Sequence, residues 1–296
     1  MTHEKKIFRV LSLGAGVQSS TLLLMACVGA MEKPDAAIFA DTGWEPQAVY
    51  RHLAWLETQA EQAKIPLYRV SAGNLKEDLL REARGEGTGK TGRMGQPPYY
   101  AHNDHPEAEM QTLWTLWGEE TVMVQPKDGV GILWRKCTTK YKLNPIRRKA
   151  RELMKAAGAN HIEQWVGIST DEIGRMKPSG RQYITNRHPL IEQQMSRTDC
   201  LQWLRQQGFP EPPKSSCLGC PFHSNAMWRQ LRDSSPEEWA ETVAVDYAIR
   251  RGIPGVKGST YMHRSCVPLD QVNLDHPEPV AEQMRMLPEC EGICSI

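Results

Sequence analysis

Cys217-Leu218-Gly219-Cys220 sets two thiols at the spacing with which a tight turn aims both sulfurs at one metal ion or cluster. Eighty residues earlier, Cys137 lies in a basic run from Arg135 to Arg151 that also holds Lys136, Lys140, Lys142, Arg147, Arg148 and Lys149. Two chemistries suit this set. In the first, Cys217 and Cys220 belong to an iron–sulfur cluster. In the second, Cys217 and Cys220 join His263 and Cys266 around a structural zinc, with His223 as a further candidate. A redox dithiol shares the two-residue spacing, but it expects a strand-to-helix setting that the proline-rich lead-in Pro210-Glu211-Pro212-Pro213 does not suggest.

A separate constellation stands near the start. The apolar run Ile7 to Leu13 ends in Gly14-Ala15-Gly16, and Val17 to Met25 then reads as a buried helix. A glycine turn from strand to helix points backbone N–H groups and the positive end of the helix dipole at one place, which suits a phosphate. Gly14 and Gly16 allow close approach, and Ser12, Ser19, Ser20 and Thr21 are candidate hydroxyl donors. A tight turn with no ligand accounts for the glycines equally well. The loop lacks the Gly-Lys-Ser/Thr ending of a Walker loop, and Ser19 stands where a dinucleotide fingerprint needs its third glycine. A second strand candidate, Ala36 to Ala40, ends in Asp41-Thr42-Gly43-Trp44-Glu45.

Together, Ser12 to Thr21 and Ala40 to Glu45 resemble the phosphate loop and second strand end of the PP-loop ATP pyrophosphatases and of the related phosphoadenosine-phosphosulfate (PAPS) reductases. The resemblance extends through Tyr141 to Ile146, Gly167 to Arg175 and Cys220 to His223, and so covers most of the chain. It implies an adenine nucleotide bound by Ser12, Gly14, Gly16, Ser19, Ser20, Thr21, Asp41, Thr42 and Gly43, with Mg2+ as a candidate companion. The ATP-cleaving branch carries Lys-Asp-Ser where this chain has Val17-Gln18-Ser19, which makes Gln18 a candidate catalytic residue in the loop. Cluster-bearing sulfonucleotide reductases are similar in layout, with a Cys-Cys pair about eighty residues before Cys-x-x-Cys. Here that pair is Lys136-Cys137, so the resemblance implies Cys137, Cys217 and Cys220 as three [4Fe-4S] ligands, with the fourth from Cys290, Cys294, Cys266 or absent. Their nucleophile-bearing tail is loosely similar to Glu289 to Cys294, which makes Cys290 a candidate nucleophile. Arg175 is a candidate phosphate or sulfate contact, against surface pairing with Asp171.

These motifs need a scaffold of alternating strands and helices. Strands over 7–13, 36–40, 67–70 and 164–168, with helices over 47–62 and 145–157, predict an α/β fold. Its mostly parallel twisted sheet is flanked by helices, as in adenine nucleotide alpha hydrolases, with the ligand site at the strands' carboxyl ends. Residues 85–106 read as a long functional loop. After Pro189 the character changes to short helices, over 198–207 and 236–250. The expected division is a nucleotide-binding domain over 1–189 and a small helical, cysteine-containing subdomain over 190–296. Cys27 and Cys200 fit core positions, and Trp134, Trp165, Trp228 and Trp239 are expected to pack.

The chain has 296 residues and a net charge of +1, with 40% hydrophobic and 24% charged residues, in the range of a folded globular protein. The charge argues against a whole-surface grip on nucleic acid and leaves the Arg135 to Arg151 run as the local basic candidate. No apolar run reaches membrane-spanning length, and the opening Met-Thr-His-Glu-Lys-Lys leads directly into a strand, so a cytoplasmic location and no membrane partner are expected.

Sulfur transfer to DNA or tRNA through an adenylated acceptor is the first functional expectation, with a sulfur or electron donor protein as partner; oligomer formation stays open. The second is reduction of PAPS or adenosine phosphosulfate to sulfite. The third is a non-catalytic nucleotide-binding module with structural zinc.

Overall fold

The computed structural model describes residues 5–86, 97–102, 109–115, 118–124, 130–251, 253, 256 and 258–275. Ten strands are described: β1 (Ile7–Leu13), β2 (Ala36–Asp41), β3 (Leu67–Ser71), β4 (Tyr100–His102), β5 (Glu109–Thr115), β6 (Gly118–Val124), β7 (Val130–Ile132), β8 (His161–Val166), β9 (Ile184–Arg187) and β10 (Ser259–Tyr261). The helices are α1 (Val17–Cys27), α2 (Gln47–Gln62), α3 (Leu75–Ala83), α4 (Asn144–Ala156), α5 (Pro189–Glu192), α6 (Arg197–Gln206), α7 (Asn225–Ser234) and α8 (Pro236–Ala248).

A five-stranded parallel sheet in the order β3-β2-β1-β8-β9 forms the centre, flanked by helices, as the α/β reading expected. The period of two along β1 decides its packing. Leu11 and Leu13 enter a core with Leu22, Leu23, Leu53 and Leu56, while Val10 joins Ile146, Ala150 and Met154 of α4. Those three α4 residues recur every fourth position, so one stripe of that helix is buried and its cations lie elsewhere on it. β1 sits between β2 and β8, so the chain leaves the sheet's middle in opposite directions, which opens a crevice at the strands' carboxyl ends.

The helices expected over 47–62, 145–157, 198–207 and 236–250 form within two residues of those bounds. β8 begins at His161, three residues earlier than expected, because Ile7 to Ser12 of β1 supply paired partners back to that residue. α3, α7 and β9 were not expected. Side-chain caps start two of them, Asn74 accepting from the Glu77 amide at 3.1 Å and Ser224 from the Met227 amide at 3.3 Å. Within the expected loop over 85–106, the described part includes β4, which pairs with β7 and β10.

The cores interleave the two halves of the chain. Leu190, Cys200 and Leu204 pack into the β1–α1–α2 core, and Leu75, Leu79 and Tyr99 share a core with Trp228, Val245 and Ile249. Among the described residues, no helix is long and apolar enough to cross a membrane.

His52 of α2 is 7% exposed, and its Nε2 lies 3.1 Å from the Ser20 hydroxyl of α1. Burial pulls its pKa from 6.5 down to about 4. Between those values the unfolded chain binds a proton that the folded chain refuses. The stabilisation is therefore full above the unfolded pKa and drains away as pH falls toward the folded one. Denaturant unfolding at pH 7 and pH 5 should show a loss of about 2 kcal/mol from this residue. His52→Gln should remove that loss; an identical pH dependence in both proteins would show that His52 does not cause it.

A candidate nucleotide and cysteine site

The glycine loop follows β1 directly. Ala15 has φ of 57°, a left-handed conformation uncommon for a non-glycine residue, and the Gly14 amide donates to the Ser19 hydroxyl at 3.1 Å. The Ser20 amide returns to the Gly16 carbonyl at 2.9 Å and closes the first turn of α1. Gly167, just past β8, abuts this turn: a Cβ there would stand 2.9 Å from the Ser19 nitrogen. The chain leaving β8 thus packs backbone to backbone against the first turn of α1. Ser12 accepts from Gln164 at 2.8 Å, and Thr21 donates to the Val17 carbonyl at 2.8 Å, so these two hydroxyls, like that of Ser20, bond inward.

Gln18 and Arg175 meet through one carboxylate. The Gln18 amide donates to Glu172 at 3.1 Å and to Ser169 at 3.3 Å, and Arg175 pairs with the same Glu172. The alternative pairing of Arg175 with Asp171 does not form. Residues 170–175 make a 3-10 turn, which brings positions three apart together, and Asp171 instead accepts from the Arg197 amide at 3.0 Å.

At the end of β2, Asp41 accepts from the Gly43 amide at 2.7 Å and from the Tyr50 hydroxyl at 2.8 Å. Gly43 adopts φ of 72°, and a Cβ there would collide with Asn74. Thr42 is the link to the cysteines. Its hydroxyl lies 3.1 Å from Glu45 and 3.3 Å from the Cys217 sulfur.

Cys137, Cys217 and Cys220 all line one cavity, which Thr42, Arg135 and Lys142 also line. Cys137 precedes a π-helical turn over Thr138–Leu143. The Cys217–Cys220 turn docks on the end of β2: the Leu218 amide donates to the Trp44 carbonyl at 2.9 Å, and Gly219 leaves no room for a side chain against the Trp44 ring. Burial raises all three thiol pKa values, that of Cys220 to about 11. Lys142 and Arg135 act against the rise at Cys137 and Cys220. Burial opposes the charge on Lys142, yet Glu45 and the three sulfurs outweigh it and its pKa rises. At all three sulfurs burial outweighs the cations, so the thiols are held neutral, and the nearby cations only lessen the cost of an anionic sulfur.

Among the described residues, no three His, Cys, Asp or Glu side chains gather closely enough to hold one metal ion. In the expected zinc set, the His263 ring nitrogens face Ser265 at 2.7 Å and Asn225 at 3.0 Å, and the His223 ring faces Ser216 at 2.8 Å. A cubane cluster spreads its thiolates over separate irons and so needs sulfurs farther apart than one zinc does. Three thiols and two cations line the one cavity here. Cys290 and Cys294 lie outside the described residues.

Cys200 is fully buried, with its thiol pushed up to about 12, and Cys27 packs against the same core, both as expected. Trp165 and Trp228 pack as expected, but Trp134 is 85% exposed. Residues 133–136 belong to no helix or strand; Arg135 turns onto the Phe222 ring at 4.3 Å, while its neighbour Trp134 points outward. The basic run is largely engaged: Lys140 with Asp78, Lys149 with Glu152, and Arg147 with the Ser179 carbonyl. Glu45 and Lys142 are the site residues whose role went unseen in the sequence. The only signal was the position of Glu45 at the strand end beside Asp41-Thr42-Gly43.

Fold and site together define an α/β protein whose glycine loop and cysteine cavity share the carboxyl edge of one parallel sheet. No family model matches the chain, and no curated protein matches it.

Proposed function

We propose that the chain is an adenine-nucleotide-dependent iron–sulfur enzyme, related to the PP-loop ATP pyrophosphatases and PAPS reductases, that transfers sulfur to nucleic acid. Thr42 carries the proposal: it belongs to the nucleotide motif and touches Cys217 at 3.3 Å, so nucleotide and cysteines act at one place. Cys137, Cys217 and Cys220 would hold a [4Fe-4S] cluster, which supplies a binding place for labile sulfur. The loop amides and the α1 dipole orient the nucleotide phosphates, with Mg2+ as their companion. An acceptor oxygen attacks the α-phosphorus, pyrophosphate leaves, and sulfide from a donor protein then displaces AMP, which carries the oxygen away. Trp134, exposed and one residue from the cavity-lining Arg135, supports an acceptor with a planar base to stack.

A second reading draws on Lys142 and Arg135. Two cations lining the cavity also suit the sulfo group of PAPS or adenosine phosphosulfate, reduced there to sulfite, with Cys290 as nucleophile. Oxygen-free protein assayed with ATP, sulfide and tRNA or DNA separates the two. AMP and a thiolated nucleoside or phosphorothioate support sulfur transfer, whereas sulfite from PAPS with an electron donor supports reduction. Protein with iron and sulfide at about four per chain that turns over neither would refute both. Colourless, zinc-bearing, inactive protein would leave a nucleotide-binding module.

A further inference from the structure

Ser215, two residues before Cys217, is 2% exposed, and its hydroxyl has no hydrogen-bond partner among the described residues. That oxygen lies 2.7 Å from the place a Cβ on Gly16 would occupy, directly against the glycine loop. α1, an eleven-residue helix from Val17, has Gly16 at its N-cap and no side-chain cap. The first N–H groups of a helix have no partner within it. A buried hydroxyl and an uncapped helix start that converge without an acceptor share one natural partner, an anionic oxygen.

We propose that Ser215 is a phosphate contact of the glycine loop, reaching the pyrophosphate end of a nucleoside triphosphate from the cysteine-bearing segment. This rests on the nucleotide reading above and extends it to a residue far from the loop in sequence. Its neighbours are already held: Ser216 faces His223 at 2.8 Å, Cys217 faces Thr42 at 3.3 Å, and the Leu218 amide bonds Trp44 at 2.9 Å. Phosphate bound by Ser215 therefore fixes the same short segment that places two of the three cavity thiols.

Calorimetric titration of the full chain with ATP, inorganic pyrophosphate and adenosine tests this. Ser215→Ala should weaken ATP and pyrophosphate binding by about tenfold or more, as expected for a lost hydrogen bond to a charged group, and leave adenosine unchanged. Its ligand-free Tm should equal or exceed that of the parent, because no internal hydrogen bond is removed. Ser215→Gly, which also deletes the hydroxyl, should lose the same ATP and pyrophosphate affinity, with a lower Tm from the added freedom of the unfolded chain. Equal ATP affinity in parent and variants overturns the Ser215 contact while the nucleotide reading stands, and so does an equal loss for adenosine. A parent protein that binds neither ATP nor pyrophosphate overturns both.

Discussion

Cys137→Ser is expected to yield a folded but colourless protein that binds nucleotide and catalyses nothing. Cys137 is half-buried at the lip of the π-helical turn and lines the cavity from the side opposite in sequence to Cys217 and Cys220. Serine keeps the shape and removes the soft thiolate, so the chain loses a ligand rather than a packing element. Stability of the metal-free variant should stay within about 1 kcal/mol of the metal-free parent. Iron and sulfide content after anaerobic reconstitution should collapse, and ATP affinity should persist because the loop is built from other strands. Cys27→Ser, which lies in a different core, is the control and should keep its colour. A Cys137→Ser protein that reconstitutes with full iron and visible absorption would remove Cys137 from the ligand set, and a parent protein that takes up neither iron nor sulfide would remove the cluster.

The second large effect is expected at Lys142. This ammonium is 8% exposed and stands 3.4 Å from Glu45, itself 4% exposed. Among the described residues one oxygen of Glu45 has no hydrogen-bond partner, and the carboxylate draws its charge balance from Lys142. Lys142→Met preserves much of the length and strands that charge beside Cys217, at an expected cost of about 3–5 kcal/mol. Native proteins hold only about 5–15 kcal/mol in all, so the variant should be markedly unstable. Pairing it with Glu45→Gln should restore a good part of the loss, with a coupling of about 2 kcal/mol. Denaturant melts of the four metal-free proteins at pH 7 measure the cycle; a single variant costing under about 1 kcal/mol would mean that the two charges are not a buried pair.

The scaffold was largely legible in advance because its signals are local. β1 and α2 form over the residues their patterns mark, and the buried helix after Gly16 follows from an apolar run entered through small residues. Strand β9 and helix α7 were not legible. β9 is four residues long and exists by pairing with β8, and α7 begins at a serine cap that local apolar spacing does not advertise.

The same divide runs through the site. Sequence by itself determined the kinds of group present: a glycine turn entering a helix, an Asp-Thr-Gly strand end, and three cysteines, two of them two residues apart. Only tertiary structure decided that these are one place. Thr42 meets Cys217 across 175 positions of chain, Gln18 meets Glu172 across 154, and Ser215 rests on Gly16. Such contacts come from strand order and the folding back of the cysteine segment, which residue spacing does not encode. Charge pairing behaves likewise: Lys142 read as one more cation in a basic run until burial set it against Glu45 and the thiols. Burial is a property of the assembled chain, and it turns an ordinary lysine and glutamate into part of the site.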